Sequence, residues 1–564
     1  MNSIRINSTN SHTRFVYLLP LLCVLIFLLF ISSDLLRAQE QIREPFILDS
    51  LYFNRINIAD TTSPYSLFEQ LTNLPHALTK ESVLRRGAGL VLGRLDTIQL
   101  HNVDEYERYL RELGVFSTIV FELDFGDTAT SRPLNRILKT RTEDGWSLVI
   151  EPYREPGEDR TAWVLVEANL LGYAKRLGLG ADLISPLDST WRSLLQYRDP
   201  ALFGTSYLFD GFALWSRGLK RLEVDLRRPF YSDLTPHSWG GEARFADGYE
   251  LFFRDRTPDP EQFWVADTNY SFRYGLSAWY GNSNRDEDLF HAALAVSYNR
   301  HDLESGNAYP RAFDNSVSIF GGIGSLRREY VHLDGYDFSG SRLVPIGAQG
   351  RVSIGKFFAH HDGLDDVVYV GGDIRKSMIS RSFYSFLKAE AGTGFSGKET
   401  LLTMFRGTAS GGVKLGPGIL AVMGQLSVAW RWPRYLWVSG ARGDIGLRGY
   451  DDREVFGDNR LGFNVDYRLF PMIDLGLWEV GLAGFWDVAG LWNQAELFGK
   501  TRFHNGAGVG IRIGNSKKVD GGVLRVDIGW NFDRGEIGEI DFGIHEAFDL
   551  FGTLDFEPPA PYTP

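Results

Sequence analysis

Cysteine is nearly absent. The one thiol in 564 residues is Cys23, so neither a disulfide framework nor a cysteine-based metal site can exist. Positive charge is in deficit: the formal net charge is −12, which argues against a general nucleic-acid binder with its basic stripe. Long apolar runs are missing beyond the start. Phe15–Ile31 is continuously apolar, and no later stretch is long and apolar enough to cross a bilayer as a helix. A mean hydropathy of −0.17 likewise excludes a bundle of membrane helices. Catalytic motifs are missing too. There is no Gly-x-Ser-x-Gly elbow and no nucleophile–base–acid set. Gly321-Gly322-Ile323-Gly324 lacks the βαβ context of a nucleotide loop. Histidines stand singly apart from His360-His361, which read as a surface pair in a loop rather than a metal site. No cofactor, no metal and no enzymatic step is therefore expected.

What the chain does have is alternation. Leu461, Phe463, Val465, Tyr467 and Leu469 fall on one side of an extended strand, and Arg460, Gly462, Asn464, Asp466 and Arg468 on the other, because successive side chains of a strand point to opposite faces. Leu222, Val224 and Leu226 alternate with Arg221, Glu223, Asp225 and Arg227. Val480, Leu482, Gly484, Trp486 and Val488 oppose Glu479, Gly481, Ala483, Phe485, Asp487 and Ala489. A soluble sandwich also carries one polar face, so a single strand decides nothing. Arg14, the apolar run and the small residue Ala38 follow the order of a signal peptide, expected to span 1–38 with cleavage after Ala38. Many alternating strands behind an export signal fit a barrel that is apolar toward lipid and polar toward a lumen. The 39 Phe, 24 Tyr and 14 Trp suit its aromatic girdles. Residues 145–548 then hold about sixteen strands at about twenty-five residues each with loops. Gly281–Leu289, Asn299–Asp314 and Arg351–Asp366 are expected as turns or external loops.

Residues 39–144 read differently, as a small α+β unit. Leu51–Ile58 is a strand candidate. Thr79–Arg86 reads as a short helix capped by Thr79 and stopped by Gly87. A second helix starts at Asn102, with Glu105 completing a capping box, and stops at Gly114. Val103, Tyr106, Leu110 and Leu113 give it one apolar face, and Phe116–Phe125 alternates as a strand. Residues 549–564 form an acidic, Pro-rich tail.

Two stretches carry a family resemblance. Thr79-Lys-Glu-Ser-Val-Leu-Arg-Arg through Leu110-Arg-Glu-Leu-Gly-Val-Phe resembles a POTRA domain. Gly446-Leu447-Arg448-Gly449-Tyr450, followed by Phe456-Gly457-Asp458-Asn459 and the strand to Pro471, resembles the signature loop and next strand of the BamA-type outer-membrane insertase and translocase superfamily, also called the bacterial surface antigen family. Phe485-Trp486-Asp487-Val488-Ala489-Gly490 is similar to its following strand. Gly506–Arg512 and Gly522–Gly529 are similar to the next two, and Ile540–Phe548 to its closing strand.

The resemblance implies a mainly β chain: a 16-stranded transmembrane barrel preceded by a small α+β POTRA-like domain in the periplasm, localised to the bacterial outer membrane. It implies that the loop carrying Arg448 folds back into the lumen and that Arg448 pairs with Asp487 on the wall. A planar guanidinium suits that pairing, since it makes a two-point contact with a carboxylate and keeps its charge. The implied partners are the lipid bilayer, unfolded outer-membrane or secreted client polypeptides, and accessory periplasmic proteins or lipoproteins, with no nucleic acid. The alternative is a passive porin or solute-binding barrel. An anchor for an attached enzyme is a third reading, without a catalytic module to support it.

Overall fold

The computed structural model describes residues 47–562, leaving out 59–75, 126–135, 183–191, 254–263, 304–315 and several shorter internal stretches. The expected leader 1–38 and the His360-His361 pair lie outside the described residues.

The chain first builds a two-layer unit from β1 (Leu48–Ile56), α1 (Glu81–Val91), α2 (Leu100–Glu112), β2 (Phe116–Phe125) and β3 (Arg136–Asp144). The sheet order is β1-β3-β2, with β1 parallel and β2 antiparallel to β3. Val83, Leu84 and Ala88 of α1 pack on Tyr106 and Leu110 of α2 and on Leu138 of β3, the helical three-and-four spacing putting each set on one face. Strand β3 is an addition to the sequence reading. The first helix runs past its expected stop: an added Cβ on Gly87 would lie 2.5 Å from the Tyr109 ring, so the glycine is a contact point and not a terminator. Thr79 gives its main-chain N–H (2.7 Å) and its hydroxyl (2.9 Å) to the buried Asp144 carboxylate and caps nothing.

The rest is strands. They are β4 (Leu148–Arg154), β5 (Thr161–Glu167), β6 (Arg176–Asp182), β7 (Arg192–Asp199), β8 (Leu208–Ser216), β9 (Leu219–Arg228), β10 (His237–Phe253), β11 (Trp264–Gly281), β12 (Leu289–Leu303) and β13 (Ser316–Asp334). β14 (Ser341–Ala359), β15 (Val367–Ser380), β16 (Phe383–Ser396), β17 (Glu399–Leu415) and β18 (Gly418–Trp430) follow. A long loop then carries the two-residue ribbon β19 (Val438–Ser439) and β20 (Phe456–Gly457). The set ends with β21 (Asn459–Asp474), β22 (Trp478–Trp492), β23 (Phe503–Asn515), β24 (Val523–Asn531) and β25 (Glu536–Gly543).

β4–β18 and β21–β25 close into one barrel of twenty strands, β25 meeting β4. Sixteen were expected, and the count is corrected by the first six strands. β4 to β9 are only 7 to 10 residues long, against 13 to 19 for β10 to β18, so dividing length by a uniform repeat undercounts them. Arg351–Asp366 is also corrected: its first nine residues belong to β14. There Gln349, Arg351 and Ser353 are buried inside while Val352 and Ile354 stand exposed outside. The same division runs around the wall. Ile150, Leu179, Ile323, Val509 and Ile537 project from five different strands as exposed apolar side chains, a greasy belt that water would not tolerate and lipid requires. The fold is a transmembrane β-barrel preceded by a small α+β domain.

Two features position the site. The small domain rests on one end of the barrel. Asn169, in the β5–β6 turn, donates to Thr79 Oγ1 (2.8 Å) and the Ala77 carbonyl (3.0 Å), and Arg108 of α2 donates to the Tyr231 carbonyl (2.8 Å) in the β9–β10 turn. At the same end the last strand stops at Gly543, short of the expected Phe548. The chain then turns inward, burying Phe548, Leu550, Phe551 and Leu554 against Leu326, Leu333, Tyr384 and Phe386 of the lumen wall.

Candidate functional site

The loop between β18 and β21 leaves the barrel at the end away from the small domain, and its Gly446–Tyr450 segment lies inside the lumen, with Leu447–Tyr450 buried. Strand register decides what meets it. Asp466 of β21 and Asp487 of β22 face inward on adjacent strands, where Asn464 is paired with Asp487. Asp527 faces inward from β24, paired with Gly510 of β23. The inward positions of β23 between them are Gly506, Gly508 and Gly510, so no side chain separates the carboxylates.

Arg448 fills that space. Its Nε and Nη2 donate to the two oxygens of Asp487 at 2.8 and 2.7 Å. Nη2 also reaches Asp466 at 2.6 Å, and Nη1 reaches Asp527 at 3.2 Å. The Arg448 main-chain N–H adds a bond to Asp487 at 3.1 Å, and the guanidinium carbon lies 3.7 Å from the centre of the Phe485 ring, a cation–π contact. Asn464 ties the pieces together, donating to the Gly446 carbonyl (2.9 Å) and to Asp487 (2.5 Å). The acids are shared with the wall: Arg468 holds Asp466, and Arg512 and Arg525 hold Asp527. All three carboxylates are fully buried. Charges in that setting persist only when paired and hydrogen-bonded.

The backbone fits as closely as the side chain. Gly449 has φ +89°, a left-handed conformation that glycine adopts without strain. An added Cβ on Gly506, Gly529 or Gly538 would come within 2.5, 2.8 or 1.7 Å of the Arg448–Gly449 main chain. Bare backbone on β23, β24 and β25 is therefore what lets the loop lie on the wall. Leu447 and Tyr450 close the motif. Leu447 is buried with Ala489, and the Tyr450 hydroxyl donates to the Asn505 carbonyl (2.8 Å) and to Asp533 (3.2 Å).

All the residues singled out from the sequence, Gly446, Leu447, Arg448, Gly449, Tyr450 and Asp487, thus lie together. Sequence reasoning missed Asp466, Asp527, Asn464, Phe485 and the three wall glycines. The signal was present as inward-face residues on strands already recognised, but only the register brings them to one point. Among the described residues no cluster of His, Cys, Asp or Glu could hold a metal ion, and the acids here are neutralised by arginines. Chemically the arrangement is a latch.

Fold and site define a transmembrane β-barrel with one of its own loops latched inside it. Solved structures similar to the chain include BamA, CdiB and siderophore-receptor structures. BamA from Haemophilus ducreyi lacking POTRA domains 1–3 is 13% identical, covering 88% of this chain and 84% of that one with a TM-score of 0.36. CdiB from Escherichia coli is 9% identical over 90% of each chain with a TM-score of 0.40, and CdiB from Acinetobacter baumannii is 10% identical, covering 90% and 72% with a TM-score of 0.38. Comparison with protein-family models and with curated proteins finds no match. Likeness this distant assigns no residue a role, so the roles below come from this chain's own contacts.

Proposed function

We propose that this protein is a bacterial outer-membrane barrel that inserts client polypeptides into the membrane or passes them across it, with the small domain in the periplasm. The observation that carries this reading is where the Arg448 loop lies. Gly449 rests on Gly538 of β25, the strand that closes the barrel onto β4. A latch at that place supports the one junction where the first and last strands meet. Both of those strands are short, 7 residues in β4 and 8 in β25. It is also the junction whose two strands no connecting loop joins, and once parted it offers unpaired edges to an incoming strand. The outer strands β1 and β2 of the small domain are further edges for capturing extended polypeptide. Work of this kind needs strand exchange and no chemical step, and accessory periplasmic or lipoprotein partners would dock on the small domain.

A passive porin needs an open lumen, and this one holds a latched loop and the chain's own tail. Conditional depletion followed by quantification of the envelope proteome separates the two readings. We expect a defined set of outer-membrane or secreted proteins to fall while their synthesis continues. Loss of solute uptake with an unchanged envelope proteome would support the porin and contradict the proposal.

A further inference from the structure

Residues 549–562 enter the lumen at the small-domain end and are held there through their main chain as well as their buried side chains. Ser410 of β17 donates to the Leu550 carbonyl (2.8 Å) and Arg328 of β13 to the Leu554 carbonyl (2.8 Å). Gln349 of β14 donates to the Asp555 carbonyl (2.6 Å) and accepts from the Asp555 N–H (3.2 Å). Arg351 donates to the Glu557 carbonyl (2.9 Å). Farther in, the Tyr369 hydroxyl of β15 accepts from the Tyr562 N–H (3.2 Å). Four strands thus present a row of side chains to carbonyls and amides that every peptide carries, whatever its sequence.

Side chains of the tail are read as well: Leu550, Phe551 and Leu554 are buried on the wall, Arg342 meets Asp549 at 3.3 Å, and Glu557 is held most closely. Glu557 Oε2 lies 2.9 Å from Arg375 and 3.2 Å from Arg351. Those two arginines otherwise share one wall carboxylate, Asp373, at 3.2 and 2.7 Å. Without Glu557 the group carries one net positive charge inside the lumen, where a charge is costly until paired. The row also begins beside the small domain, because Arg328 lies 3.8 Å from Glu105 of α2 as well as from Asp555.

We infer that this row is a binding track for extended polypeptide with an acidic side chain at the Glu557 position, and that the tail occupies it in cis until a client displaces it. The inference rests on the proposed handling of polypeptides and adds a second client contact, inside the lumen, to the one proposed where β25 meets β4. Tail and client compete for one set of donors, so the resting lumen is filled and the working lumen is not left empty.

The test uses the full chain in lipid nanodiscs and one probe, a fluorescent synthetic peptide of residues 549–562. Glu557→Lys places a cation against Arg351 and Arg375, and we expect it to free the tail. Protease cleavage after Phe556 should speed up by about tenfold or more, the factor that follows from losing about 1.4 kcal/mol. The probe should then bind the E557K protein and not the wild type. A reversible lock guards against misfolding. An added Cβ on Gly322 lies 3.0 Å from the Pro559 ring carbon Cβ, so a shift of about 0.5 Å reaches the separation a disulfide spans, about 3.5–4.5 Å. Gly322→Cys with Pro559→Cys, in a Cys23→Ser background, should exclude the probe when oxidised, also with E557K present, and admit it on reduction. A freed tail with no probe binding would overturn the track. A tail that E557K leaves protected would overturn its role as a removable occupant. Neither readout involves client insertion, so failure here is separate from an unchanged envelope proteome on depletion.

Discussion

Arg448 contacts three buried carboxylates; Asp466 keeps Arg468 and Asp527 keeps Arg512 and Arg525, while Asp487 is held by Arg448. Removing Arg448 leaves Asp487 buried without its arginine, at a cost of about 3–5 kcal/mol. We expect Arg448→Ala to leave a folded barrel with an unlatched loop, seen as rapid cleavage of the loop by protease added to intact proteoliposomes. Arg448→Lys should recover only part of the protection, since an ammonium cannot hold both oxygens of Asp487 while reaching Asp466 and Asp527. Equal protection by Lys and Arg would contradict the geometry. The wall glycines give a second test at this scale. Gly538→Ala should also unlatch the loop, because its Cβ has no room beside the Gly449 carbonyl, whereas Gly484→Ala, with nothing within 4 Å, should leave cleavage unchanged.

At the scale of elements, the seat of the small domain centres on Asp144, at the end of β3. Its carboxylate accepts from His76, the Thr79 N–H and the Thr79 hydroxyl, and Asn169 of the barrel donates to it at 3.3 Å. Asp144→Ala strands buried donors, worth about 1–3 kcal/mol, and should free the domain from the barrel, read as new proteolytic sites around residue 145. Asp124→Ala, which removes a half-exposed pair with Lys139, should change little. β21 and β22 were legible in the sequence because they are two-faced along their length: Asp466 and Asp487 are fully buried, while Phe463 and Trp486 are about half exposed. β14 was not, because Arg351 and the polar residues after it resemble a loop until their inward direction is known. The short strands β4 to β9 were hidden from counting for a different reason, since each is about half as long as the strands β10 to β18 that follow.

For the molecule as a whole, the lumen is occupied from both ends, by the Arg448 loop from one and the tail from the other. We expect the full chain to be nearly silent in planar bilayers. Deleting 549–564 or 443–456 alone should give small, flickering currents, and deleting both should give a steady pore. A large steady conductance in the intact chain would contradict the filled lumen. The tail's composition was legible, acidic and rich in proline, but its place was not: nothing in the order of its residues says that the wall grips its main chain.

The central claim is that clients engage the barrel where β25 meets β4, and the most direct measurement is site-specific photocrosslinking during ongoing synthesis of envelope proteins. A photoreactive residue would be placed at Ile150 of β4 or Ile540 of β25, both exposed on the outer wall, and at the similarly exposed Ile354 of β14 as a control. We expect polypeptide adducts at Ile150 and Ile540 and none at Ile354. Equal labelling at all three positions, or adducts at Ile354 alone, would contradict the claim.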